Sequence, residues 1–251
     1  MSDPKKYVET LELDEGGTAI SFLESGISSR LENGESTPEE AFTNFKSVNS
    51  FASGISKARQ DDVLNSVLLA QKAAQKAFPE DNQIIDWHKK YFEVLSNIGW
   101  LLEGKDFVEY TSGSNIFEID KAVLDILGAA LTGSQLAIIL KAIDSLKSLA
   151  KNDSRFIAFE KNTHSLSKGS FQMGLATEVE DTISINSSAF MLDTSNKINQ
   201  ILFFKSSKDK TSFKYKQYKA TLIDEQYDRV RIPIKQKLGA VVDDYIADLE
   251  I

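Results

Sequence analysis

Residues 126–140 read ILGAALTGSQLAIIL, fifteen positions without a charge between Asp125 and Lys141. A helix needs about 20 apolar residues to cross a bilayer, so this run is too short for a resident span. Thr132, Gly133 and Ser134 punctuate its middle. Such residues mark a turn, and Ser134 is free to cap a second helix. The stretch therefore predicts two short apolar helices, roughly 119–131 and 134–150. The pair can serve as an ordinary core hairpin. It can equally be a device that is soluble in one state and lipid-seeking in another, and its periodicity does not choose between the two.

Upstream, residues 1–36 are acidic and rich in Gly and Ser, and read as a flexible arm. The sequence STPEE at 36–40 has the hydroxyl, proline and acids of a helix start, so helices are expected over about 38–57, 60–78 and 82–103. Val63, Leu64, Val67, Leu68 and Ala70 mark the second, and Ile84, Trp87, Tyr91, Leu95, Ile98 and Leu102 the third. A loop is expected over 104–117.

Downstream of the apolar pair the period changes from 3.6 to 2. Phe171, Met173, Leu175 and Val179 alternate with polar residues, and further runs cover 183–191, 198–204 and 212–222. Polar links such as Glu180-Asp181 separate them, as in an antiparallel meander. The alternation slips at Gln217-Tyr218, which predicts a bulge. An amphipathic helix over 233–249, opened by Pro233, closes the chain. The order helices, strands, helix gives an α/β chain of α+β order. Residues 37–251 read as one domain, with helices within 38–150 and strands within 154–223.

The net charge of −8 is unevenly placed: residues 1–41 carry −7, 224–251 carry −3, and the middle is +2. This balance argues against nucleic acid as a partner. Without cysteine there is no disulfide framework, thiolate nucleophile or thioester. The first residues lack an apolar core of the signal-peptide kind. The protein is thus expected to be soluble and cytoplasmic in its producer and to leave by another route. The two histidines, His88 and His164, lie at no ligand spacing and read as surface or internally satisfied groups. Nucleophile elbows, dinucleotide fingerprints and P-loops are absent, and adjacent carboxylates such as Asp61-Asp62 point apart on a helix. The reading is therefore non-enzymatic, with no catalytic residue, no metal and no cofactor.

A basic stretch remains. Lys205, Lys208, Lys210, Lys214, Lys216 and Lys219 lie within fifteen residues against Asp209 alone, interleaved with Phe213, Tyr215 and Tyr218. Lysines near an anionic lipid surface contribute about 1 kcal/mol each, and aromatic rings favour the interface. The same lysines would also protect an edge strand from pairing with another chain.

Residues 127–134, LGAALTGS, resemble the central helical pair of the Cyt cytolytic δ-endotoxins, and 200–204, QILFF, resemble a strand of the same family. The 212–222 strand follows in the matching place, so the resemblance covers roughly 119–223. The fold is shared by volvatoxin-like proteins and by the Evf virulence factor, which binds a fatty acyl chain. The resemblance implies an antiparallel β-sheet flanked by layers of α-helical hairpins. It also implies a membrane-active cytolytic, pore-forming or virulence toxin, insecticidal in the Cyt case, that oligomerises at the lipid membrane of a target cell. Departures are the missing cysteine, which excludes an acyl thioester, the long acidic arm and the charged C-terminal helix. The expected lipid-contact residues are Leu127, Leu131, Leu136, Ile139, Leu202 and Phe204, with Lys208, Lys210, Lys214 and Lys216. The rival readings are a soluble carrier of a fatty acid or other lipid and a plain interaction module.

Overall fold

The computed structural model describes residues 3–16, 20–25, 37–149 and 151–247, with 20–25 and 240–247 described as backbone. The elements are α1 (Pro4–Thr10), β1 (Ile20–Ser25), β2 (Glu40–Asn44), β3 (Ser47–Phe51), α2 (Lys57–Ala77), α3 (Ile84–Asn97), β4 (Trp100–Gly104), β5 (Val108–Glu109) and β6 (Ile116–Glu118). They continue as α4 (Ile119–Gly128), α5 (Gly133–Ser148), α6 (Ser154–Thr163), β7 (Lys168–Val179), β8 (Thr182–Thr194), β9 (Lys205–Ser207), β10 (Thr211–Leu222), α7 (Asp224–Tyr227) and α8 (Arg231–Ala247).

The main sheet has the order β1-β2-β3-β7-β8-β10-β4, and β5 also pairs with β10. Its pairings are antiparallel except that between β3 and β7. The β7–β8 hairpin turns at Glu180-Asp181, with φ of 49° and 61°. Two successive left-handed residues give the turn twist that suits strands joined by a two-residue loop. Strands β6 and β9 form a separate ribbon.

Each face of the sheet carries a helical layer. On one face α2, α3 and α8 pack over Ala176, Ile185, Ala189, Tyr218 and Ala220. On the other, α4, α5 and α6 pack over Phe171, Met173, Leu175, Phe190, Leu192 and Phe213. This double cover explains the slip at Gln217-Tyr218. The register of β10 against β8 is continuous through Lys216↔Ala189, Gln217↔Ser188 and Tyr218↔Ser187, so the expected bulge is absent. Phe213 and Tyr215 face one layer, while Tyr218, Ala220 and Leu222 face the other. The apolar side of the strand changes because the layer that buries it changes.

Other expectations are corrected. Residues 38–57 are not a helix: they hold the β2–β3 hairpin, turned at Phe45 with φ 56°. Phe42, Phe45, Val48 and Phe51 recur every three residues, but aromatic and β-branched residues fit a pleated surface better than a helix. The third helix ends at Asn97, because Gly99 takes φ 103° and starts the turn into β4. A Cβ there would stand 3.1 Å from the backbone N of Tyr227. Residues 154–163, expected among the strands, form α6, whose N-cap Asp153 accepts a hydrogen bond from Arg155 N–H. Residues 198–204 are not a strand. Ile198, Ile201, Leu202 and Phe204 are buried in a turn, and the Ile201 N–H donates to the Glu160 carboxylate at 2.9 Å. The expected loop 104–117 contributes β5 and the start of β6.

The arm is also corrected in part. Val8, Leu11 and Leu13 are buried, so residues 3–16 pack as an integral piece. Tyr7 donates to Glu93 on α3, and Lys237 of α8 donates to the Glu9 carbonyl. The ammonium of Lys72, 2% exposed, reaches the Asp14 carboxylate at 3.5 Å. Strand β1 pairs with β2 across the expected boundary at residue 36. Residues 17–19 and 26–36 of the arm lie outside the described residues.

Candidate lipid-contact elements

Helices α4 and α5 form the hairpin expected from the uncharged run. The cap of α5 is Thr132 rather than Ser134. Its hydroxyl accepts from Gln135 N–H, and the Gln135 side chain accepts from Thr132 N–H, so two free donors are satisfied reciprocally. Leu127, Leu131 and Ile139 are buried, and Leu136 packs partly buried beside them. Leu202 and Phe204 join the same cluster, and the Ile119 N–H donates to the Phe204 carbonyl. Thus the six apolar residues singled out in the sequence are brought together, on the inner side of the hairpin. Beneath them Phe171, Phe190 and Phe213 stack across three neighbouring strands, with centroid separations of 4.8 and 5.6 Å. In this state none of the six is on open surface. Polar ties at the rim hold the hairpin: Gln217 to the Ile126 carbonyl, Tyr110 to Asp125, and Lys141 to Glu39. Burial, then the Asp125 carboxylate, pushes the Tyr110 hydroxyl up to about 12, so it remains a donor at neutral pH.

The lysines are not gathered in one patch. Lys205 is taken up by Glu118, which also binds Lys121; the two lysines hold that carboxyl below its ordinary range. Lys208 and Lys210 are exposed in the turn before β10. Lys214 lies 4.0 Å from Glu109. Lys216 lies across the sheet from the hairpin, its ammonium 4.6 Å from the Phe92 ring centre. Lys210, Lys214 and Lys168 line an open cavity of about 550 Å³ together with Asp81, Asp193 and Asp209. Ile84, Ile85, Met191 and Leu192 line it as well.

A buried polar seam between α3 and the sheet escaped the sequence reading. Tyr218 donates to the Gln172 side chain at 2.7 Å and lies 3.4 Å from the Tyr91 hydroxyl. His88 meets Ser170 beside it. The recurrence of Trp87-His88 and Tyr91-Phe92 four residues apart on one helical stripe is the sequence signal that would have found it. His164 has a different setting. Burial opposes its charged form, but the Glu160 carboxylate at 2.9 Å and the Ser165 carbonyl outweigh it and raise its pKa. On α2, the Asp62 carboxylate, 2% exposed, receives two hydrogen bonds from Arg231 of α8 at 2.8 and 2.9 Å. Among the described residues no cluster of His, Asp or Glu is arranged to hold a metal, and no helix is long and apolar enough to cross a membrane.

The architecture is thus a mostly antiparallel sheet between two helical layers. No protein-family model matches the chain, and no curated protein matches it in sequence. Among solved structures it is similar to a delta-endotoxin, at 12% identity over 72% of this chain and 81% of that one, with a TM-score of 0.42. It is similar to the Evf virulence factor at 10% identity over 78% and 76% of the two chains, with a TM-score of 0.34. The activated Cyt2Ba monomer from Bacillus thuringiensis subsp. israelensis gives 13% identity over 53% and 78%, with a TM-score of 0.24. The two sequence motifs resemble the Cyt δ-endotoxins, and Evf is the virulence factor whose fold that resemblance implied.

Proposed function

We propose that this protein is a membrane-active toxin of the cytolytic or virulence type, and that the α4–α5 hairpin is its lipid-seeking element. One observation carries the reading: a charge-free run of fifteen residues forms a hairpin with most of its apolar side chains turned onto the sheet. Swung out, the hairpin would expose Leu127, Leu131, Leu136 and Ile139 together, a patch too apolar to persist in water. Each helix is too short to span a bilayer, so the hairpin would lie in the interface, with Lys141 and Lys147 at its polar side.

The strands offer a weaker route into lipid. Strands β7, β8 and β10 have 12, 13 and 12 residues, enough for the 9–11 of a spanning strand. A spanning strand also needs one continuously apolar face. Here the face that carries Phe190, Leu192, Phe213 and Tyr215 continues into Asn186, Ser188, Gln217 and Lys219. In this reading the partner is a lipid surface, no residue is catalytic, and self-association happens on the membrane.

Dye release and co-flotation with vesicles of zwitterionic and anionic lipid test the proposal. Binding with leakage is expected, and tethering α5 to the sheet by an engineered crosslink should abolish leakage while leaving the soluble fold intact. A protein that neither binds nor permeabilises either vesicle would overturn the reading. Binding without leakage would replace it with a lipid carrier.

A further inference from the structure

His88 projects from α3 onto the sheet and is 1% exposed. Trp87 and Phe92 of its own helix and Phe107 of the β4–β5 connection enclose it, with ring separations of 5.0, 6.3 and 5.0 Å. Its Nε2 lies 3.1 Å from the Ser170 hydroxyl of β7, and Nδ1 has no hydrogen-bond partner among the described residues. Two cations bracket the cage. Lys46, from the β2–β3 turn, stands 5.3 Å from the Trp87 ring centre, and Lys216, from β10, stands 4.6 Å from that of Phe92. These two lysines are the charges that act on the imidazole. The neighbouring polar groups, Tyr91 of α3, Gln172 of β7 and Tyr218 of β10, are neutral, as is Gln75 of α2, which accepts from the Trp87 indole N–H.

We infer that His88 is an acid-labile latch: its imidazolium is incompatible with α3 seated on the sheet, so mild acid raises the fraction of molecules in which this helical layer is open. A buried cation needs a counter-charge and a full set of acceptors. The cage supplies aromatic walls, one hydroxyl and two like charges. Burial first, then Lys46 and Lys216, lower the seated His88 to about 3, whereas a solvated histidine titrates near 6.5. The group is neutral in the seated state and charged in the open one below pH 6.5. The stability it contributes is therefore complete above pH 6.5 and is lost as pH falls from there toward 3. Between pH 7.5 and pH 5.0 the opening equilibrium rises about 30-fold from this group alone. The latch holds the layer opposite the α4–α5 hairpin and does not depend on the membrane reading. Loss of vesicle binding leaves it intact.

The experiment is hydrogen exchange at α3 amides of the full chain in buffer, corrected for intrinsic rates, at pH 7.5 and 5.0. In the wild type the opening constant should rise about 30-fold more than in His88→Gln, which shares every other titrating group. Equal pH responses in the two proteins would overturn the latch. If His88→Gln does not fold, an NMR titration of the wild-type imidazole decides. A His88 ring that stays neutral to about pH 4 while α3 remains seated supports the inference; one that titrates between 6 and 7 in the seated protein overturns it.

Discussion

Truncation of Ile139 to Ala tests whether the hairpin is a separable unit. Ile139 is 0% exposed and belongs to the cluster formed by α4, α5 and the aromatic face of the sheet. Cutting a buried Ile to Ala removes its transfer free energy and leaves a cavity, together costing about 2–5 kcal/mol. The aromatic stack below is held by three strands, so the site is poorly placed to collapse and the upper half of that range is expected. The location of the loss is more informative than its size. If the hairpin opens while the sheet stays paired, the whole cost falls on hairpin opening. Exchange at α4 and α5 amides then accelerates by roughly 300-fold to several thousand-fold, at 1.4 kcal/mol per factor of ten. Amides of β7 and β8 should keep their protection apart from any change in global stability. Leakage of anionic vesicles should become faster, because less work is needed to expose the hairpin. Equal acceleration in hairpin and central strands would refute the reasoning, since it would mean that the two open only together.

Arg231→Met should cost about 3–5 kcal/mol in urea melts, because it leaves the Asp62 carboxylate buried and unpaired, whereas Arg231→Met combined with Asp62→Leu should recover much of the loss. His164 has the opposite sign to His88. Its raised pKa gives stability that is full below pH 6.5 and is lost as pH rises through the folded value; Glu160→Gln should remove that dependence in a comparison of melting temperatures at pH 5.5 and 8. Gly99→Ala should destabilise by about 1–3 kcal/mol, since φ 103° is unfavourable for a residue with a Cβ and Tyr227 N crowds the site; an unchanged midpoint would contradict the observed turn. Lys208→Gln, Lys210→Gln and Lys214→Gln together should leave the urea midpoint unchanged while weakening binding to anionic vesicles, most strongly at low salt. Binding equal to wild type at low salt would leave these lysines as ordinary surface charges, since β10 is paired on both sides and has no edge to protect.

Local pattern was enough to determine the hairpin at 119–148 and the long strands at 168–179, 182–194 and 211–222. An uncharged run broken at Thr132-Gly133 and alternation punctuated by Glu180-Asp181 are short-range signals, which turns and periodicity write into neighbouring residues. The resemblance at 127–134 and 200–204 was legible for the same reason, although the second motif folds as a buried turn. The tertiary structure decided what depends on partners distant in sequence. Phe42 to Phe51 became strands because β7 offered an edge to β3. The expected bulge vanished because two helical layers, not one, cover β10. Acidic residues 3–16 were drawn in by burial of Val8, Leu11 and Leu13. The lysines of 205–219 were divided between faces by the pleat of a single strand and by Glu118 and Glu109. His88 could not be distinguished from a surface histidine until Ser170, Lys46 and Lys216 converged on it from three other parts of the chain. A sequence states which side of an element is apolar; whether anything covers the other side, and with what charge, is fixed only when the layers close.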